Sequence, residues 1–73
     1  MDNKDLIKAV SYQIFDRRMN HNMSLAALGA KIGAAPVVVW QWEQGRHMPS
    51  AKHLVGLADA FGCSVDDLLG RSK

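Results

Sequence analysis

Seventy-three residues suffice for one small domain, and a chain of this length buries only about 60% of the surface it exposes when unfolded. A single cysteine, Cys63, excludes an internal disulfide and is read as a small buried apolar side chain in a reducing compartment. No apolar run nears the roughly 18 residues of a membrane span, the opening MDNKDL lacks the apolar core of a leader, and the net charge is only +2; together these lead us to expect a cytoplasmic single domain over 1–73.

No segment alternates apolar and polar residues as a strand would, and the apolar spacing is helical throughout. The first helix is expected from Asp2 or Asn3 to about Asn20, with Leu6, Val10 and Ile14, flanked by Ile7 and Phe15, forming its apolar stripe. Asn22 suits the left-handed residue that follows a helix. Ser24 caps a second helix with Leu25, Leu28 and Ile32 inward, and Gly33 allows a tight turn. A third helix begins at Ala35 or Pro36, since proline is tolerated where its missing N–H would lack a partner anyway, and Gly45 ends it. After the loop RHMP, Ser50 caps a fourth helix with Leu54, Leu57, Ala58 and Phe61 inward, closed by Gly62. Ser64 and Asp67 have the spacing of a capping box for a short fifth helix that buries Val65, Leu68 and Leu69 before Gly70. The fold class is therefore all-α, a compact bundle of five short helices.

The charge is unevenly placed. Residues 17–53 carry Arg17, Arg18, Lys31, Arg46 and Lys52 against Glu43 alone, a sum of +4. The segment before them, with Lys4 and Lys8 against Asp2, Asp5 and Asp16, sums to −1, as does the segment after them, with Arg71 and Lys73 against Asp59, Asp66 and Asp67. A basic middle suits a polyanion such as DNA, and it also suits an ordinary solvated surface. Three histidines and one cysteine at scattered spacing make no zinc motif, and no cofactor is implied. No nucleophile–base set, phosphate loop or paired carboxylates point to an enzyme; Asp66 and Asp67 read as charges at a helix N-terminus.

Residues 24–50, SLAALGAKIGAAPVVVWQWEQGRHMPS, resemble the Cro and phage-repressor type of helix-turn-helix in the spacing of Ser24, Leu28-Gly29, Gly33, Val39, Trp42, Glu43-Gln44-Gly45 and Pro49. LADAFGCSVDDLLG at 57–70 is similar to the family's closing helices and DRRMNHNMS at 16–24 to the end of its first. The resemblance implies a lambda-repressor-like DNA-binding domain, with the helix-turn-helix proper at about 24–44. Two helices crossing at about 90–120° need small residues where they meet, and Gly29 and Gly33 lie four apart beside the turn. The family usually has alanine where this chain has Gly29, and glycine permits closer approach. Val39 and Trp42 are expected to wedge the third helix into the core, and the resemblance pairs Glu43 with a basic residue ending the first helix, here Arg18.

With Val39 and Trp42 inward, the outward side holds Ala35, Pro36, Val37, Trp40, Gln41 and Gln44, with Val38 at the margin. The resemblance places base contacts at 36, 37 and 41, often polar in the family but Pro, Val and Gln here. Gln41 would then read adenine N6/N7, while Val37, with Val38 or Ala35, would pack on thymine methyls and favour A·T-rich half-sites. Ser24 with the free N–H groups of its helix, Gln44, Arg46, His47 and Lys52 are candidates for phosphate, and Lys31 and Arg17 are further ones. Leu25 stands where the family often has a glutamine that touches phosphate. These features imply a small transcriptional regulator binding operator DNA as a homodimer. The competing reading is a protein-interaction module, such as an antitoxin or regulator antagonist, whose apolar third helix and Trp40 meet a protein.

Overall fold

The computed structural model describes residues 2–71, so Met1, Ser72 and Lys73, at the ends of the expected 1–73 domain, lie outside the described residues. Five helices follow in order: α1 (Asn3–Asn20), α2 (Leu25–Ile32), α3 (Pro36–Glu43), α4 (Ala51–Phe61) and α5 (Val65–Leu68). Four of the five starts are set by side-chain caps; α3 begins without one. Asp2, Ser24, Ser50 and Ser64 each accept a hydrogen bond from the backbone N–H three residues on, and the Ser64 N–H donates to Asp67 Oδ2 at 3.1 Å, completing the capping box. Asn22, at φ 55°, stops α1: its N–H donates to the Met19 carbonyl and the Met23 N–H donates back to the Arg18 carbonyl.

The core is one cluster drawn from all five helices: Val10 and Ile14, Leu28, Val39 and Trp42, Leu57, Ala58 and Phe61, and Leu68. Leu25, Ile32, Leu54, Val65 and Leu69 are half-buried against it, as is Cys63. Removing such surface from water contributes about 25 cal/mol per Å² of apolar area and is the main stabilising term in so small a bundle. Burial also holds the Cys63 thiol above its ordinary pKa, with Arg17 opposing and Asp67 adding to the effect.

The inner face of α1 departs from the expected stripe at one position. Phe15 is 48% exposed, and in its place Ser11 is buried beside Val10 and Ile14. Ser11 faces the end of α3, where a Cβ on Gly45 would make ordinary contact, 3.5 Å, with Ile7 Cγ2 and Ser11 Oγ. The Ser11 hydroxyl donates to the Ile7 carbonyl at 2.8 Å, so its burial leaves no unmet donor. Phe15 turns to the rim, where the Arg18 guanidinium lies 5.7 Å from its ring centre.

Candidate nucleic-acid interface

The axes of α2 and α3 turn through 107°, inside the range for which two short helices form a helix-turn-helix. The two glycines of α2 and its turn serve different ends. A Cβ on Gly29 would run into the Ala34 carbonyl oxygen, a backbone atom that cannot step aside, so this residue sets how closely the turn folds back. A Cβ on Gly33 would meet nothing within 4 Å; glycine is there because φ is +75°. The expectation that Gly33 supplies room at the crossing is therefore corrected: its role is conformational. Its N–H and that of Ala34 both donate to the Gly29 carbonyl, which closes α2 and launches the chain toward Pro36.

Val39 and Trp42 are the buried residues of α3 and fix its rotation. Trp42 is backed by the His53 ring at 5.1 Å, and that ring also lies against its own helix cap, with Nδ1 3.0 Å from Ser50 Oγ. Glu43 is held as the resemblance implied. Arg18 Nε and Nη2 donate to its two carboxylate oxygens at 2.6 and 2.9 Å, while Nη1 donates to the Met23 carbonyl at 2.9 Å. The side chains are 11% and 3% exposed, so this is a nearly dry, bidentate pair tying the end of α1 to the end of α3. Hydrogen bonding to Glu43 raises the Arg18 pKa beyond its usual high value, against the opposing effect of burial.

Once α3 is held in this way, its outward side is apolar at the front. Val37 is 58% exposed and Trp40 38%, with Ala35 and Pro36 exposed beside them. Ala35 gives no side-chain cap, as its methyl group dictates; its carbonyl accepts from the Val38 and Val39 N–H groups. Gln41 is half-buried, not fully outward. Val38 packs against the core, so it belongs to the packed side of α3 more than to the reading side.

The phosphate candidates divide by position. Ser24 Oγ accepts from the Ala27 N–H at 3.0 Å and its carbonyl takes the Leu28 N–H, leaving the Leu25 and Ala26 N–H groups as the open start of α2. Gln44, Arg46, His47 and Lys52 are exposed in the stretch that follows α3, and Lys31 is exposed near the end of α2. Arg17 is drawn elsewhere: its Nε donates to Gln13 Oε1 at 3.0 Å, and its charge acts on Cys63, on the side where α4 meets α5. Sequence reasoning misses Lys4 and Lys8, because their segment sums to −1. The fold brings both, with Ile7, to the edge of a shallow groove against Gln44 and Gly45, next to the end of α3. The i, i+4 spacing of the two lysines is the only sequence signal for that placement.

This framework defines a helix-turn-helix protein. A family model described as Helix-turn-helix matches residues 14–68, and the chain belongs to the phage-repressor type of that family. Repressor protein C2 of Salmonella phage P22 is 38% identical over 53 residues, which cover 73% of this chain and 24% of that repressor. The chain thus spans about a quarter of the length of that curated relative. Among solved structures, the P22 c2 repressor protein in complex with the synthetic operator 9T matches with a TM-score of 0.82 at 33% identity, over 86% of this chain and 96% of that one. Hydroxypropylphosphonic acid epoxidase from S. wedmorenis also matches, with a TM-score of 0.83 at 28% identity over 92% of this chain, but over only 36% of the enzyme. The fold is therefore shared by a repressor domain and by a minor part of an enzyme chain. Among the described residues, no single helix is long and apolar enough to cross a membrane.

Proposed function

We propose that this single domain is a non-enzymatic, sequence-specific DNA-binding transcriptional regulator of the phage or prophage repressor kind, acting in the cytoplasm. The helix-turn-helix at 24–44 enters the major groove of operator DNA with α3. Its front half reads by shape and apolar contact: Val37 packs on thymine methyl groups with Pro36 and Ala35 beside it, and Gln41 makes the bidentate contact to adenine. Val38 supports that surface from the packed side. Ser24, Gln44, Arg46, His47 and Lys52 neutralise the flanking backbone, with Lys31 at the far end of α2, and with Arg17 as the most remote member. Such a domain reads only a few base pairs, so it binds as a homodimer on a near-palindrome with half-sites about one helical turn apart.

The observation that carries this reading is the 107° turn between α2 and α3, with Val39 and Trp42 locked inside and Val37 left exposed. The match to a repressor domain solved on its operator supports it. The exposed Val37 and Trp40 favour a second reading, in which α3 meets a protein as an antitoxin or regulator antagonist would. One titration separates the two. On a mixed A·T-rich duplex, DNA binding weakens steeply and log-linearly as salt rises. No binding at low salt would leave the protein partner standing. Selection of bound duplexes from random sequence then gives the operator, and A·T pairs opposite Val37 are the expected result.

A further inference from the structure

We propose that Trp40 is a positioning residue: its indole face holds the Arg46 guanidinium so that the N–H edge meets a backbone phosphate beside the groove occupied by α3. This rests on the DNA-binding reading above. The placement follows from how α3 ends. Gly45, at φ +73°, reverses the chain; its N–H donates to the Trp42 carbonyl at 3.1 Å and the Arg46 N–H donates to the Gln41 carbonyl at 3.0 Å. In such an ending, the residue after the left-handed one returns over the last turns of the helix, where an apolar contact commonly forms. Here that contact is between Arg46 and Trp40, with the guanidinium carbon 5.2 Å from the ring centre.

Two features make this more than packing. Among the described residues, no carboxylate pairs with Arg46, and the sole acidic residue between positions 17 and 53, Glu43, is taken up by Nε and Nη2 of Arg18. Arg46 is thus a cation without an internal anion. A guanidinium stacked on an indole keeps its donors free around its edge, because the attraction uses the flat face. The contact, 5.2 Å from the ring centre, biases the exposed Arg46 side chain toward this arrangement before any ligand arrives. A lysine at position 46 would carry the same charge but would not stack in this way.

The test uses the full chain and a mixed A·T-rich duplex, with affinity measured between about 50 and 200 mM salt. The variants are Arg46→Gln, Arg46→Lys, Trp40→Leu, Trp40→Phe and the Trp40→Leu/Arg46→Gln double, each checked for folding by its thermal melt. Arg46→Gln is expected to lower the salt slope by about 0.9. Trp40→Leu should weaken binding several-fold in the parent and have no further effect beside Arg46→Gln. Trp40→Phe should keep most of the affinity. Arg46→Lys, which leaves α3 intact, should lose affinity with the slope unchanged. Equal losses from Trp40→Leu in both backgrounds, or an Arg46→Lys variant that binds like the parent, would overturn the inference while leaving DNA binding in place. Absence of salt-dependent binding by the parent would instead remove the proposed function, and this inference with it.

Discussion

Replacing Arg18 with methionine isolates the contact that fixes α3 to α1. The substitution keeps most of the buried stem but leaves the Glu43 carboxylate, 3% exposed, without its cation and the Met23 carbonyl without its donor. Removing one partner of a buried ion pair costs about 3–5 kcal/mol, because the remaining charge stays desolvated. A 73-residue domain has only about 4–11 kcal/mol of stability in all. The variant should therefore lose at least about 12 °C in Tm, at roughly 4–8 °C per kcal/mol for a domain this small. With a parent stability of only about 4 kcal/mol, the variant would sit near its unfolding midpoint at room temperature. Urea denaturation followed by circular dichroism measures the loss directly. Arg18→Met/Glu43→Leu, which removes both charges and fills the site with apolar atoms, should recover most of the stability. An Arg18→Met variant within about 1 kcal/mol of the parent would mean that the pair behaves as a solvated surface bridge, and that α3 is held by something else.

Three further outcomes are expected. Gly29→Ala should destabilise by about 1–3 kcal/mol even though alanine is the better helix former, since the new methyl meets the Ala34 carbonyl; a more stable variant in urea would refute the close-approach reading. Gln41→Ala should cost about 1–3 kcal/mol of operator affinity and relax the preference at one base pair in competition binding, whereas an unchanged preference would remove Gln41 from the readout. Because burial raises the Cys63 pKa, the unfolded chain loses that thiol proton first, so stability falls as pH rises through the thiol range. Alkylation of the folded protein should correspondingly titrate at higher pH than that of a free thiol, and a midpoint at or below the free value would contradict this.

The boundaries of the helices are legible in the sequence because each is decided within four residues of itself. A serine hydroxyl or an aspartate carboxylate reaches the N–H three positions on, and Asn22, Gly33 and Gly45 take backbone angles that other residues resist. The family spacing places Val39 and Trp42 inside and joins Glu43 to Arg18. What no local rule contains is the depth and rotation at which one helix meets another. That geometry buries Ser11 and turns Phe15 out, half-buries Gln41, and gives Gly29 the crossing while Gly33 keeps only the turn. It also carries Lys4 and Lys8 from an acidic segment to the end of α3, sends Arg17 toward Cys63, and lays Arg46 across Trp40. Caps and turns are short-range hydrogen-bond and torsional choices, written residue by residue. Which side chains share a surface depends on how well whole helix faces fill the space between them, and only the assembled bundle settles that.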